Sequence, residues 1–149
     1  LSSNEGGADY LLNCIFLIPT TMEIKLTNEE SEKYFYNSLC NGAQISYYGL
    51  TIDYTRKAYE KAKKTLQKDG TSVCFEDVLM QVLRQGDKIK IVDNENDGDY
   101  TRSITIKEVH ERVSKTPIRH LMNAINEEDD GDTADVILQS VFFEDVIFG

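Results

Sequence analysis

Several residue types that catalysis and metal binding usually need are scarce in this chain. Its 149 residues include no Trp, two Pro, two His and three Cys. The cysteines, Cys14, Cys40 and Cys74, are far apart and form no C-x-x-C pair, so neither a zinc site nor a disulfide framework is indicated. We therefore expect three mostly buried thiols in a reducing compartment and no cofactor.

The sequence patterns of common catalytic loops are also absent. No G-x-S-x-G, G-x-x-x-x-G-K-[ST] or G-x-G-x-x-G segment occurs. His110 begins a sequence like the zinc-protease pattern H-E-x-x-H, but Ser114 stands where the second histidine would be, and His120 lies beyond Pro117. The sequence therefore singles out no catalytic residue.

No apolar run is long enough for a membrane helix. The run at 10–18 is about half of the roughly 20 residues that a bilayer requires, and no Lys or Arg precedes it as in a secretory signal. Met22 opens a polar-alternating segment. We therefore expect Met22 to be the biological start, 1–21 to be an upstream extension and 22–149 to form one domain. The alternative is a buried strand at 10–18 that pairs with residues 23–26.

Positive charge is scarce and concentrated in one segment. The chain has 16 Lys plus Arg against 26 Asp plus Glu, a net charge of −10. Residues 56–68 carry six basic side chains and one acidic side chain, a local charge of +5, so the remainder carries −15. That remainder opposes binding to nucleic acid and to anionic membranes. We expect neither as a partner.

Helix starts are clear in the sequence. Thr27 with Glu30 and Thr105 with Glu108 form capping boxes, and Thr55 is placed to cap the basic helix 56–68.

Three more caps are predicted further along the chain. Ser72 precedes one apolar helical face, and Asp132 precedes another. Pro117 is excluded from a helix interior, so two helices, 107–114 and 117–127, are expected, with Thr116 capping the second. The last helix is apolar around most of its circumference, which indicates burial in the core or against another chain, and its second half could instead be a strand.

Strand patterns occur in three places. Residues 44–54 are β-branched and aromatic and predict a short strand pair with a bend at Gly49. Segments 88–93 and 101–106 alternate at period two around an Asn/Asp/Gly-rich loop, which predicts an antiparallel hairpin at 88–106. The fold class is α+β, a helix-rich single domain with five or six helices.

The hairpin loop is the candidate metal site. Asp93, Glu95, Asp97 and Gly98 match the first half of a calcium-binding EF-hand loop, but Ile104 stands at position 12, where a bidentate Glu is needed. The strand-like flanks favour a solvated hairpin loop, and a weak divalent-cation site is the alternative. The carboxylates of that site would be Asp93, Glu95, Asp97 and Asp99.

A second acidic segment, residues 127–135, and the basic helix are the candidate partner-binding segments. The acidic segment would imitate nucleic-acid phosphates or bind a basic partner, and its alternative is a solvated loop whose charge favours the next helix. The basic helix would dock nucleic acid or an acidic protein, or pair with the acidic remainder of the same fold or of a neighbouring copy, and the acidic residues around it oppose nucleic acid. The candidate residues are Glu127, Glu128, Asp129, Asp130 and Asp132 in the first and Arg56, Lys57, Lys61 and Lys64 in the second.

Three segments resemble small acidic proteins of unknown function that phages and mobile elements encode. They are MEIKLTNEESEKYFYNSLCNG (22–42), SITIKEVHERV (103–113) and TADVILQSVFFEDVIFG (133–149). The resemblance spans most of 22–149, contains no motif of known chemistry and implies no active site. It implies a host-takeover, regulatory or inhibitory protein that works by binding.

The sequence thus predicts a soluble, cytoplasmic, non-enzymatic interaction protein. It would offer an acidic surface to a protein partner and could form a homodimer through its C-terminal apolar segment. The alternative is a small enzyme or a weak cation-binding domain centred on residues 93–99.

Overall fold

The structure, a computed structural model, describes residues 24–68 and 70–149. Four predictions lie outside the described residues: the extension 1–21, the start at Met22, the strand at 10–18 and the burial of Cys14.

Helices dominate the described chain, and a three-stranded sheet completes it. This arrangement confirms the predicted helix-rich α+β class and the hairpin at 88–106. None of the described helices combines the length and the apolar character that crossing a membrane demands. In chain order the elements are α1 (Asn28–Asn41), a 3₁₀ helix (Ala43–Tyr48), β1 (Leu50–Tyr54), α2 (Arg56–Leu66), α3 (Phe75–Arg84), β2 (Ile89–Asp93), β3 (Arg102–Ile104), α4 (Ile106–Arg112), a short 3₁₀ helix (Val113–Lys115), α5 (Ile118–Ile125) and α6 (Gly131–Phe143).

The sheet is antiparallel and has the order β1-β2-β3. Leu50 of β1 lies opposite Asp93 of β2, and Tyr54 lies opposite Ile89. Ile89 also pairs with Ile104 of β3. Strand β1 therefore runs from the acidic hairpin loop at one end of the sheet to the start of the basic helix α2 at the other.

Helix α6 lies at the centre of the core. Ile137, Leu138, Val141 and Phe142 are each at most 1% exposed. The helix packs against α1, where the rings of Phe35 and Phe142 have centroids 6.2 Å apart, and it also contacts α4, α5 and β3. Of the two predicted settings for this apolar segment, the structure shows the core of the chain itself.

The helix caps predicted at Thr27, Thr55 and Thr105 are confirmed. The Thr27 hydroxyl accepts the N–H of Glu30 at 3.1 Å, and the Glu30 carboxylate accepts the N–H of Thr27 at 2.9 Å. The Thr55 hydroxyl accepts a backbone N–H from the first turn of α2 at 3.3 Å. The Thr105 N–H donates to the Glu108 carboxylate at 2.7 Å. These caps are local in sequence, which is why the pattern alone identifies them.

The strand pair predicted at 44–54 is wrong in its first half. Ala43–Tyr48 form a 3₁₀ helix, Gly49 has a left-handed φ of 76°, and only Leu50–Tyr54 is a strand. A Cβ atom at Gly49 would lie 2.4 Å from Cγ of Glu95. Both the backbone angle and the space at this position therefore call for glycine.

Two other predicted caps are displaced by two residues. Helix α3 begins after Cys74 rather than after Ser72. Helix α6 is capped by Asp130 rather than Asp132, and the Asp130 carboxylate accepts the N–H of Thr133 at 2.9 Å.

The two helices predicted around Pro117 are confirmed, but the predicted cap between them is wrong. Pro117 directly precedes α5, and a short 3₁₀ helix separates α5 from α4. The Thr116 hydroxyl is buried and has no hydrogen-bond partner among the described residues, so it caps no helix.

The predicted burial of the thiols is wrong for both described cysteines. Cys40 and Cys74 are exposed, because each stands at a helix end outside the apolar face that packs into the core. The Tyr36 hydroxyl lies 3.8 Å from the Cys74 Sγ atom. The pKa of Cys40 lies above its ordinary value, because partial desolvation and the nearby Glu76 carboxylate raise it more than a hydrogen bond with Tyr36 lowers it.

The C-terminal segment turns back along α6 and does not form the alternative strand. Gln139, which is fully buried, holds it there. The Gln139 Nε2 atom donates to the Asp135 carboxylate at 3.0 Å and to the Phe148 carbonyl at 3.1 Å. Its Oε1 atom accepts the N–H groups of Ile147 at 2.8 Å and Phe148 at 2.9 Å. One side chain thus fixes the position of this segment.

Candidate partner-binding surface

Asp93 organises the acidic loop, residues 93–99, between β2 and β3. One carboxylate oxygen accepts the N–H groups of Glu95 at 3.1 Å and Asn96 at 3.0 Å, and the other accepts that of Tyr100 at 3.2 Å. Burial raises the pKa of Asp93, but these hydrogen bonds outweigh it, so the pKa lies below its ordinary value. Asp93, one of the four predicted cation ligands, thus caps its own loop.

The other three carboxylates of the acidic loop lie at the surface of the protein. Glu95, Asp97 and Asp99 are exposed. Within residues 24–68 and 70–149, no three His, Cys, Asp or Glu side chains are placed to hold a metal ion together. The structure therefore does not gather the four predicted ligands, Asp93 included, into one set.

The first part of the second acidic segment, residues 127–132, leads from α5 into the first residues of α6 and is called the acidic turn. Asp130 has a structural role in this turn. Its carboxylate accepts the backbone N–H of Thr133, and this hydrogen bond lowers the pKa of Asp130. Glu127 lies 3.8 Å from Lys33, an exposed pair that contributes little stability. One of the predicted carboxylates in this turn, Asp129, is half-buried. The other four are exposed: Glu127, Glu128, Asp130 and Asp132.

The 3₁₀ helix Ala43–Tyr48 contacts both acidic segments, one near each of its ends. Near its start, the Gln44 Nε2 atom donates to Asp132 at 2.9 Å. Just after its end, the Asn94 Nδ2 atom donates to the Gly49 carbonyl at 3.0 Å. Because a 3₁₀ helix rises about 2 Å per residue, roughly 10 Å of axis separates these contacts. The resulting surface, the acidic face, comprises Glu95, Asp97, Asp99, Glu127, Glu128, Asp129, Asp130 and Asp132.

Tyr47 adds an aromatic side chain to the acidic face. It belongs to the 3₁₀ helix that joins the two acidic segments and is 84% exposed. Tyrosine is enriched in protein interfaces, because its ring contributes apolar area and its hydroxyl can hydrogen-bond. The sequence pattern did not predict this side chain as a surface feature.

A pocket of about 410 Å³ opens next to the acidic face, where α6 begins. The Tyr48 hydroxyl donates to the Asp135 carboxylate at 2.9 Å, and Asp135 is only 5% exposed. Burial, together with this hydrogen bond, raises the pKa of Tyr48 to about 12. On the α5 side, the His120 Nδ1 atom lies 3.1 Å from the Thr133 hydroxyl. The polar lining includes Gln44, Tyr48, Arg119, His120, Asp132 and Asp135.

Sequence reasoning missed much of this pocket. Asp132 and Asp135 could be placed together, because residues three apart share a helix face. Gln44 and Tyr48 could not, because they reach α6 from a segment almost 90 residues earlier in the chain. No local pattern marks Arg119 either.

The basic helix lies at the far end of the sheet from the acidic loop. It begins at Arg56, two residues after Tyr54. Tyr54 lies opposite Ile89 at one end of β2, and the acidic loop begins at the other end of that strand. The ion pairs found among the described residues involve none of its basic side chains. The predicted partner-binding residues are therefore not brought together but divided between two ends, and those on the helix are all exposed: Arg56, Lys57, Lys61 and Lys64.

His110 belongs to an ion-pair network between helices. Its Nε2 atom lies 2.9 Å from one Glu32 oxygen, and Arg84 donates to the other at 2.7 Å. Burial raises the pKa of Glu32, and the hydrogen bonds from Arg84 and His110 outweigh it, so the pKa lies below its ordinary value. Glu32 therefore ties α1 to α3 and α4.

The acidic face, the exposed Tyr47 ring and the adjoining pocket together make this side of the molecule the candidate site. No family model, curated protein or solved structure matches this chain.

Proposed function

We propose that this protein is a non-enzymatic regulatory or inhibitory protein that binds a basic protein partner through its acidic face. One observation carries the proposal. The 3₁₀ helix Ala43–Tyr48 contacts both acidic segments, about 10 Å apart along its axis, and carries the exposed Tyr47.

The charges of the acidic face are available to a partner. Of its carboxylates, only Glu127 has a cationic side chain within 4 Å among the described residues, and that partner is the exposed Lys33. Exposed charges of one sign accelerate association with an oppositely charged protein and select among partners. An aromatic side chain that becomes buried on binding contributes affinity, and the exposed Tyr47 is suited to that role.

The resemblance to small acidic phage and mobile-element proteins favours a target in the host cell. Imitation of nucleic-acid phosphates is one specific form of this function, because a nucleic-acid-binding protein presents a basic surface. The exposed thiols of Cys40 and Cys74 fit the reducing cytoplasm as the place of action.

A second copy of the chain is the other candidate partner. Most of the C-terminal apolar segment lies in the core, which leaves Val146 and Ile147, each 38% exposed, for contact with another molecule. Light scattering over a range of concentrations tests this homodimer, and a monomer mass at every concentration would exclude it.

Charge reversal on the acidic face tests the main proposal. The triple variant Tyr47→Ala, Asp99→Lys, Glu128→Lys changes one aromatic and two acidic side chains of the face. After affinity capture from host lysate identifies a basic partner, we expect the triple variant to bind it at least about tenfold more weakly in a calorimetric titration, a change of about 1.4 kcal/mol.

The matched control is Asp53→Lys, Glu60→Lys, two exposed carboxylates at the basic end of the molecule. It alters the net charge by the same amount. Equal weakening by the control, or full binding by the triple variant, would contradict the proposal.

A further inference from the structure

We infer that the pocket at the start of α6 receives the guanidinium group of an arginine side chain. This inference rests on the proposed function, because the arginine would belong to the basic partner. The pocket adjoins the acidic face through Asp132, which belongs to both. Its volume of about 410 Å³ lies in the range of sites that enclose small organic groups.

Within the described residues, the acidic side chains of the pocket form no ion pair. Asp135 is 5% exposed, and its two oxygens accept hydrogen bonds only from neutral groups, Gln139 and the Tyr48 hydroxyl. No Lys, Arg or His within the described chain lies within 4 Å of the carboxylate of Asp135 or Asp132. The two carboxylates would attract a cationic group that enters the pocket.

The walls of the pocket favour a planar cation. Tyr48 and Phe148 both line it, and their rings are stacked with centroids 5.1 Å apart. A guanidinium group stacks on aromatic rings and donates two parallel hydrogen bonds to one carboxylate, whereas a lysine ammonium group does neither as well. The carboxylate of Asp132 is exposed and accepts one hydrogen bond, from Gln44, so it can accept more.

Arg119 and His120 also line the pocket, so an anionic ligand is the competing interpretation. Arg119 is an exposed lining residue, and its guanidinium would attract an anion and repel a cation. The two classes predict opposite effects of the same substitution. Removal of the Arg119 charge strengthens the binding of a cation and weakens the binding of an anion.

The test uses acetylated, amidated arginine as the probe and follows the backbone amides of the full chain by NMR. We expect saturable shifts at residues 44–48, 132–136 and 146–149. The isosteric neutral citrulline derivative should give none, and the lysine derivative should bind at least about tenfold more weakly. Asp132→Asn should weaken arginine binding about tenfold, Arg119→Ala should strengthen it, and Glu60→Gln on α2 should leave it unchanged.

Equal shifts with citrulline, or weaker arginine binding by Arg119→Ala, would overturn the inference. Two basic peptides separate its failure from failure of the proposed function. One outcome would support the acidic face but exclude the arginine pocket. In that outcome, a lysine-only peptide and an arginine-containing peptide bind equally well, and the Asp132→Asn variant binds both as the parent chain does. If neither peptide binds, the proposed function itself fails, and the inference fails with it.

Discussion

Asp93 shows how a metal-like pattern can arise from backbone capping. A carboxylate that accepts several N–H groups in a tight loop does for the chain what coordination to a cation would do, because both satisfy its lone pairs. Its neighbours Glu95, Asp97 and Asp99 stay exposed and carry charge. The acidic spacing therefore predicted the loop correctly, whereas the liganding role depends on groupings that the spacing does not determine.

Replacement of Asp93 by Asn tests its capping role. Because the pKa of Asp93 is lower in the folded chain than its ordinary value of 3.8, its ionised form stabilises the fold above that value, and this contribution is lost as the pH falls through the folded-state pKa. We expect Asp93→Asn to lower the urea midpoint at pH 7 and to remove part of the acid dependence below about pH 4.

The matched variant is Asp99→Asn. The side chain of Asp99 is exposed and makes none of the hydrogen bonds that hold the loop, so its urea midpoint should remain that of the parent chain. An Asp93→Asn curve that follows the parent curve at every pH would show that the loop does not depend on this carboxylate.

Among the elements, the caps at Thr27, Thr55 and Thr105 followed from the sequence, whereas three other caps and the 3₁₀ helix did not. A cap joins residues two or three apart, so its pattern is visible locally. The segment Ala43–Tyr48 has strand-like residues, but its conformation is stabilised by distant contacts: Tyr48 stacks on Phe148 and hydrogen-bonds to Asp135. Strand preference is weak enough for such packing to override it.

Helix α6 contains the polar residue that positions the C-terminal segment. The apolar circumference of this helix predicted burial, but the pattern gave no role to Gln139. The structure gives Gln139 four hydrogen bonds, two from its amide nitrogen and two to its amide oxygen. Full satisfaction of both ends is what allows a buried amide in a core helix.

We expect Gln139→Leu to release the C-terminal segment and to lower the free energy of unfolding by about 2 kcal/mol, since backbone groups at Ile147 and Phe148 lose their partners. Hydrogen exchange should show early loss of protection at these two amides. The amides of α1 in the same variant serve as the internal reference. Unchanged protection at Ile147 and Phe148 would show that other contacts hold the segment.

At the scale of the whole molecule, the register of the sheet separates the acidic loop from the basic helix. The composition revealed a basic segment within an acidic chain, but not where the two would lie. The register of Leu50 with Asp93 and of Tyr54 with Ile89 places the acidic loop and the basic helix at opposite ends of β1. That separation depends on the pairing of strands about 40 residues apart, which no local pattern contains.

Calcium provides a whole-molecule test of the cation-binding alternative. A ligand at 100 times its dissociation constant adds roughly 2.7 kcal/mol to the free energy of unfolding. Because the described residues include no grouped set of metal ligands, we expect the melting temperature to stay unchanged at millimolar calcium or magnesium. The control is the same ionic strength in sodium chloride, and a rise beyond that control would restore the cation site.

The position of β1 between the acidic loop and the basic helix also separates opposite charges, and such a separation is an electric dipole. A strand of five residues separates the two charged ends by roughly 13 Å at 3.3 Å per residue. In the field of a positively charged protein, such a molecule rotates while it is still diffusing, and its acidic end turns to the front. A larger fraction of collisions therefore begins with the acidic end facing the partner, which raises the association rate.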